Sequence, residues 1–163
     1  MRDNTEIALR SLLANLCRDD SKRAEKKNVY IIGGAPGSGK STYVAGRKTD
    51  NDLVVDLDHI CAALNCTGEL YQNHEYILDI ALQIQEMLYK AIEQRSGKWA
   101  DAYVVTAASK AEAEKLARRL SGELVMMDVP LDVCISNIRG DDRRKDRAET
   151  FIDLASRWYE SSL

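Results

Sequence analysis

Short apolar runs alternate with longer amphipathic segments along this chain. The runs at residues 29–33, 53–55, 102–107 and 123–129 are largely apolar, which is typical of parallel strands buried on both faces. Apolar residues recur at helical spacing over residues 40–47, 74–95, 110–120, 131–138 and 148–159, and we expect Met87 of the second of these segments to lie in the core. Strands that alternate with helices in this order predict an α/β fold with a doubly wound parallel sheet.

A further amphipathic segment precedes the first strand. Ile7, Leu12 and Leu16 recur at helical spacing after Asn4, a residue suited to capping the N-terminus of a helix. Residues 18–27 then form a polar connector of mixed charge. We therefore expect an N-terminal helix and charged linker at residues 1–27, which is a candidate surface for a protein partner, followed by a main domain at residues 28–163.

Composition sets limits on this picture. The 163 residues are 45% hydrophobic and 30% charged, with a net charge of −3, so the chain suits one globular domain. That net charge argues against nucleic-acid binding through overall charge alone, so any contact with a polyanion must be local. No stretch has the length of a membrane span and residues 1–10 lack the apolar core of a signal peptide, so we expect a cytoplasmic protein. The four cysteines contain no C-x-x-C pair, and we expect reduced thiols, with Cys61 and Cys134 in the core.

A glycine-rich turn, which we call the phosphate loop (residues 34–41), joins the first strand to the next helix. Gly34, Gly39, Lys40 and Ser41 fill the fixed positions of the Walker A pattern G-x-x-x-x-G-K-[ST]. Glycines let successive backbone amides point at one anion, the lysine follows the β- and γ-phosphates, and the serine hydroxyl is a ligand for Mg²⁺. The pattern predicts an ATP site with phosphate contacts from Gly34, Ala35, Pro36, Gly37, Ser38, Gly39, Lys40, Ser41 and Thr42.

Two carboxylates follow the second strand. Alternation along an extended segment sends Asp56 and Asp58 to the same side, and ligands bind at the carboxyl ends of the strands in an open parallel sheet. We expect Asp56 to hold Mg²⁺ together with Ser41, and Asp58 to accept a proton from an attacking hydroxyl or to orient it. The alternative for Asp58 is a structural role as the N-cap of the following helix.

Four arginines lie within residues 139–147, which we call the arginine segment. Such a cluster is usually a solvated charged surface, but planar guanidinium donors also suit phosphoryl oxygens. We expect Arg139 and Arg143, on either side of Gly140, to act in catalysis, with Arg144 and Arg147 contacting the nucleotide phosphates. Because the register of a loop cannot be read from sequence, Arg144 or Arg147 is the alternative for the catalytic role.

Together, the phosphate loop, the strand end Asp56-Leu57-Asp58, the run DVPLDVCISNIRG and the arginine segment resemble the small P-loop kinases. The likeness is greatest to the kinase domain of phage polynucleotide kinases and related small phage-encoded P-loop proteins, and it covers residues 28–159. It implies a three-layer sandwich with a four-stranded parallel sheet of order 2-3-1-4 and helices on both faces. It also implies that Asp58 activates the acceptor hydroxyl and that the arginine segment forms a lid over the phosphates.

Two functions are compatible with these features. The first is an ATP- and Mg²⁺-dependent kinase that transfers the γ-phosphate to a hydroxyl acceptor, with a nucleic-acid 5′-hydroxyl or a nucleotide as candidates. Polynucleotide kinases tend to carry an arginine shortly after the base aspartate, whereas His59, Ile60 and Cys61 stand at those positions here. The alternative is an ATP-binding module with weak ATPase activity, whose N-terminal helix engages a partner.

Overall fold

Four parallel strands form one sheet at the centre of the molecule. The computed structural model describes residues 27–72 and 75–161. The strands β1 (Val29–Gly33), β2 (Leu53–Val55), β3 (Ala102–Thr106) and β4 (Glu123–Met126) are hydrogen-bonded in the order β2-β3-β1-β4. β1 is central, with Tyr30 paired to Tyr103 on one side and to Glu123 on the other. The expected α/β class and the strand order 2-3-1-4 are confirmed.

Within the described residues, six α-helices and one 3-10 helix accompany the strands. The α-helices are α1 (Lys40–Ala45), α2 (Leu57–Leu64), α3 (Leu78–Glu93), α4 (Lys110–Arg119), α5 (Leu131–Arg139) and α6 (Ala148–Glu160), and the 3-10 helix spans Asp142–Arg147. β4 ends at Met126, earlier than its apolar pattern predicts. Its partner β1 ends at Gly33, whose carbonyl accepts a hydrogen bond from the Met127 amide, so the residues beyond have no strand to pair with.

Helices cover both faces of the sheet. On one face, Ile31 and Val104 belong to a core cluster that includes Ile92 of α3 and Leu120 at the end of α4. On the opposite face, Ile32 packs in a second cluster with Tyr103 and with Val44 of α1. The arrangement is the expected three-layer sandwich, and it fixes the end of β1 from which the phosphate loop departs.

The exposed side of α3 differs from the sequence pattern. Ala81 and Ile92 are fully buried and Leu88 packs against the first core cluster, whereas Met87, expected in the core, is 67% exposed. Successive helical residues are rotated by about 100°, so a helix that buries Leu88 turns its neighbour away. The expectation for Met87 is wrong. Those for Cys61 and Cys134 are confirmed, since both thiols are buried.

Some expectations fall on residues that the structure does not describe. The N-terminal helix and nearly all of the linker lie outside the described residues, which begin with Lys27. Across residues 27–72 and 75–161, every helix is too short or too polar to cross a membrane.

Candidate active site

The phosphate loop leaves β1 and enters α1 as a tight, left-handed turn. Gly37 and Gly39 have φ angles of 81° and 87°, a region that favours glycine. A Cβ on Gly37 would lie 2.5 Å from the Cys134 carbonyl oxygen of α5, so the loop passes against that helix with no space for a side chain. A Cβ on Gly39, in contrast, would have no heavy atom within 4 Å. The loop is therefore closed toward α5 and open at the first turn of α1, where helical amides lack carbonyl partners and suit an anion.

Ser38 is a buried residue of the phosphate loop. It is 3% exposed, and its hydroxyl has no hydrogen-bond partner among the described residues. Buried hydroxyls are normally paired. An unpaired hydroxyl next to an open turn of backbone amides fits a loop that is shaped to hold a phosphate group.

The Lys40 side chain is hydrogen-bonded to the backbone of the phosphate loop. Its Nζ donates hydrogen bonds to the carbonyl oxygens of Gly34 and Ala35, each at 2.8 Å. Desolvation, and then the charge of Arg144, lower the pKa of Lys40 to about 8, while Asp56 and Asp58 act in the opposite direction. The charges of Asp56, Asp58 and Arg144 thus all act on the pKa of Lys40. The predicted lysine, carboxylates and one predicted arginine therefore lie close enough to interact electrostatically.

Asp56 and Asp58 lie at the start of a helix, and not on the extended segment that strand alternation predicted. α2 begins at Leu57, and Asp56 is its N-cap, with Oδ1 accepting a hydrogen bond of 2.9 Å from the Asp58 amide. Asp56 Oδ2 lies 3.5 Å from Nδ1 of His59. Asp58 sits in the first turn of the helix, so the residue expected as the alternative cap is not the cap. Asp56 is 7% exposed, and both carboxylates still line the same cleft.

The four arginines have different environments. Arg139 is largely exposed, with Nη2 3.9 Å from Glu149 Oε1. Arg143 Nε and Nη2 donate to both carboxylate oxygens of Asp141, at 2.8 and 2.9 Å. These two donors occupy both oxygens of Asp141, so much of the Arg143 charge is compensated within the arginine segment.

Arg144 and Arg147 are instead packed on aromatic residues. The Arg144 side chain is 13% exposed, its Nε is 3.6 Å from Asp141 Oδ2, and this buried nitrogen has no hydrogen-bond partner among the described residues. Arg147 Nη1 donates to the carbonyl oxygens of Tyr71 and Gln72, at 3.2 and 2.8 Å. Arg144 therefore keeps an N–H group that can donate to a ligand, and its charge acts on Lys40. Arg147 instead connects the arginine segment to Tyr71 and Gln72.

The ring of Tyr71 packs against the arginine segment, and no pattern in the sequence indicated this role. The residue is 5% exposed, its ring meets Phe151 edge-on at 5.5 Å, and the Arg144 guanidinium lies 4.1 Å from its ring centroid. Its φ of 66° is left-handed, at a cost on the order of 1 kcal/mol for a residue with a Cβ. These contacts hold Tyr71 in that conformation, and it in turn supports Arg144 through a cation–π contact.

A single cleft of about 1130 Å³ collects most of these groups. Of the predicted site residues, its lining includes Pro36, Gly37, Gly39, Lys40, Ser41, Thr42, Asp56, Asp58, Arg143 and Arg144. Gly34, Ala35, Ser38, Arg139 and Arg147 are outside the lining. The cleft thus combines an open phosphate loop with two of the predicted carboxylates and two of the predicted guanidinium groups, a set that can bind a polyphosphate and move a proton near it.

Asn137 is a second cleft residue that periodicity did not reveal. Its Nδ2 donates 2.9 Å to the Gly37 carbonyl, which links α5 to the phosphate loop three residues before Gly140. The sequence offered one weak indication of this role. Asn137 is a polar residue directly before Ile138, which is one of the two buried positions of α5, the other being Cys134.

Comparison with known proteins shows the fold of the chain. No family model and no curated protein sequence matches it. A chain in the structure of the Pnkp1/Rnl/Hen1 RNA repair complex matches with a TM-score of 0.56 at 17% identity, over 86% of this chain and 48% of that one, so the present chain spans about half its length. Shikimate kinase from Acinetobacter baumannii in complex with shikimate gives a TM-score of 0.45 at 13% identity, over 85% of this chain and 81% of that one.

The strand order and the first of these likenesses define the class of fold. The protein has the α/β fold of the P-loop kinases, with a four-stranded parallel sheet and helices around it. The predicted resemblance is therefore confirmed at the level of the fold.

Proposed function

We propose that the protein is an ATP-dependent phosphotransferase that moves the γ-phosphate to a hydroxyl acceptor. The observation that carries the proposal is the position of Lys40, Asp58 and Arg144 around one cleft at the phosphate loop. A cation on the phosphates, a carboxylate for the acceptor proton and a guanidinium for the developing charge are the groups that phosphoryl transfer requires.

In this mechanism the acceptor oxygen attacks the γ-phosphorus as the bond from that phosphorus to the ADP oxygen breaks. Asp58 takes the proton from the acceptor hydroxyl. Lys40 and Arg144 stabilise the charge that spreads over the phosphoryl oxygens, and the guanidinium of Arg144, already packed on Tyr71, needs little reorganisation to do so.

Ser41 and Asp56 are suited to hold Mg²⁺. Both line the cleft, and hydroxyl and carboxylate oxygens are the donors that this ion prefers. The ion would neutralise charge on the β- and γ-phosphates. Oδ1 of Asp56 is used as the cap of α2, so its other carboxylate oxygen is the one suited to the ion or to its water shell.

The test is transfer from γ-labelled ATP and Mg²⁺ to a panel of hydroxyl compounds. Asp58→Asn is expected to lower transfer by about 10² to 10⁴ while ATP affinity stays nearly intact, because a positioned base contributes that much to the chemical step. Asp79→Asn, an exposed position in the first turn of α3, is the control and should retain activity. ATP binding without transfer to any acceptor would favour the ATP-binding module instead.

A further inference from the structure

The chain between β2 and the middle of α3 is devoid of positive charge from lysine and arginine. Residues 57–89, which we call the arm, include five acidic residues but no lysine or arginine. The arm supplies Leu57, Asp58, Tyr71, Gln85 and Tyr89 to the cleft. Among the described residues of the arm, Asp58 alone contributes a charged side chain to the cleft. An anionic acceptor would therefore meet a carboxylate, with no lysine or arginine of the arm beside it, at the place where its hydroxyl must reach Asp58.

The cations that do line the cleft already have partners or tasks. They are Lys40, Arg47, Arg143 and Arg144, against the carboxylates of Asp56, Asp58 and Asp141. Asp141 engages Arg143 through two hydrogen bonds, and the Arg47 guanidinium stacks 3.8 Å from the Tyr43 ring centroid. ATP with one Mg²⁺ is itself anionic and draws on Lys40 and Arg144. Among the described residues, every cation that lines the cleft is therefore already engaged, by a carboxylate, by an aromatic ring or by the nucleotide, before an acceptor binds.

The walls away from the phosphate loop are aromatic, apolar or neutral. The arm contributes Tyr71, Gln85 and Tyr89, and α6 contributes Phe151 and Leu154. Leu154 is 46% exposed in the cleft, so a ligand that covers it gains apolar burial. Desolvation raises the pKa of Tyr89 to about 12, which keeps this phenol neutral. Such walls suit a planar or apolar body, with the Gln85 amide as a neutral donor and acceptor.

We propose that the acceptor is an uncharged or cationic small molecule, which presents its hydroxyl on a planar or apolar body, and not a nucleic acid or a nucleotide. This inference rests on the proposed function and narrows it to one acceptor class. The acceptor oxygen forms the new bond to the γ-phosphorus, the bond from phosphorus to the ADP oxygen breaks, and the hydroxyl proton passes to Asp58.

The first experiment compares acceptors in matched pairs. Nucleosides, sugars and amino alcohols are each tested beside a phosphorylated counterpart that keeps the reacting hydroxyl, such as a nucleoside and its 3′-monophosphate, together with 5′-hydroxyl oligonucleotides. For a compound that accepts phosphate, we expect kcat/KM at least about tenfold above that of its phosphorylated counterpart, a difference of about 1.4 kcal/mol. Higher kcat/KM for the anionic partner, or phosphorylation of the oligonucleotides, would overturn the inference and leave the kinase proposal standing.

The second experiment places a cation on the arm. Gln85→Arg adds a guanidinium to the cleft wall, and the exposed Gln83→Arg on the same helix is the matched control. Gln85→Arg should raise the ratio of anionic to uncharged acceptor kcat/KM by about tenfold or more, and Gln83→Arg should leave that ratio unchanged. An equal ratio in all three proteins contradicts the electrostatic argument.

Transfer to no acceptor, with ATP binding intact, counts against the proposed function. In that case the inference is tested by a binding experiment. The protein is first saturated with Mg²⁺ and a non-hydrolysable ATP analogue, and the binding of a fluorescent 5′-hydroxyl oligonucleotide is then measured. Saturable, salt-sensitive binding would refute it, and the absence of such binding would support the exclusion of anionic ligands.

Discussion

Lys40 is the residue at which the electrostatics of the site can be measured most directly. Its pKa of about 8 is set by desolvation and by Arg144. Because the folded protein releases this proton more easily than the unfolded chain does, the free energy of unfolding should rise with pH between about 8 and 10.5. Nucleotide binding needs the charged ammonium, so affinity should change in the opposite direction.

We therefore expect affinity for MgATP to fall by about tenfold or more from pH 7.5 to 9.5, since Lys40 loses its charge over that range. Binding at about pH 8.5 should be accompanied by proton uptake, because the phosphates raise the pKa of Lys40 again. Calorimetry in two buffers of different ionisation enthalpy measures that uptake. In Lys40→Met the uptake should vanish and binding should weaken. Affinity that stays constant across this range would contradict the assignment.

Arg144 and Arg139 offer a second comparison between single residues. Arg144→Ala is expected to lower kcat by about 10² to 10³, the usual effect of removing one donor to developing charge, with the KM for ATP changed by less than about tenfold. Arg139→Ala, which removes an exposed guanidinium 3.9 Å from Glu149, should change kcat by less than about threefold. Steady-state kinetics on both variants provides the test, and the reverse order of effects would move the catalytic role to Arg139.

Among the helices, α2 shows how one residue can serve both structure and chemistry. Asp56 caps the helix through Oδ1 and presents a buried carboxylate to the cleft. Asparagine is as good an N-cap as aspartate but lacks the charge, whereas alanine lacks both properties. The two substitutions therefore separate the roles.

Asp56→Asn should keep the free energy of unfolding within about 0.5 kcal/mol of the wild type while raising the Mg²⁺ concentration needed for activity. Asp56→Ala should raise the Mg²⁺ requirement as well and also cost about 1 kcal/mol in stability through loss of the cap. Urea unfolding and Mg²⁺ titration of activity measure the two effects. Equal stability in both variants would mean that the cap contributes little.

The same element shows where sequence patterns stop being informative. The phosphate loop, all four strands and their order could be predicted, because local patterning and the resemblance agree there. Alternation failed at Asp56 and Asp58 because a capping hydrogen bond turns the chain into α2 directly after β2. Which arginine faces the cleft depends on the turn made by the 3-10 helix and on Tyr71, a contact more than 70 residues away in sequence. Neither the turn of the 3-10 helix nor the contact with Tyr71 produces a periodic pattern in the sequence.

At the scale of the whole molecule, the described residues that line the cleft all lie between Pro36 and Leu154. A chain that lacks residues 1–26 is therefore expected to bind MgATP within about threefold of the full-length affinity, a difference below about 0.7 kcal/mol. Calorimetry on the two chains is the measurement. A loss of binding on truncation, with the fold retained by circular dichroism, would show that the N-terminal segment contributes to the site.

The central place of β1 also has a consequence for how the protein is made. β1 leaves the ribosome before the other three described strands, and its partners β3 and β4 follow about 70 and about 90 residues later. At a synthesis rate of roughly 5–20 residues per second, the apolar β1 strand waits several seconds with both edges unpaired. During that interval it can pair with other nascent chains. The yield of folded protein should therefore depend on translation speed and on chaperones that cover β1 until β4 emerges.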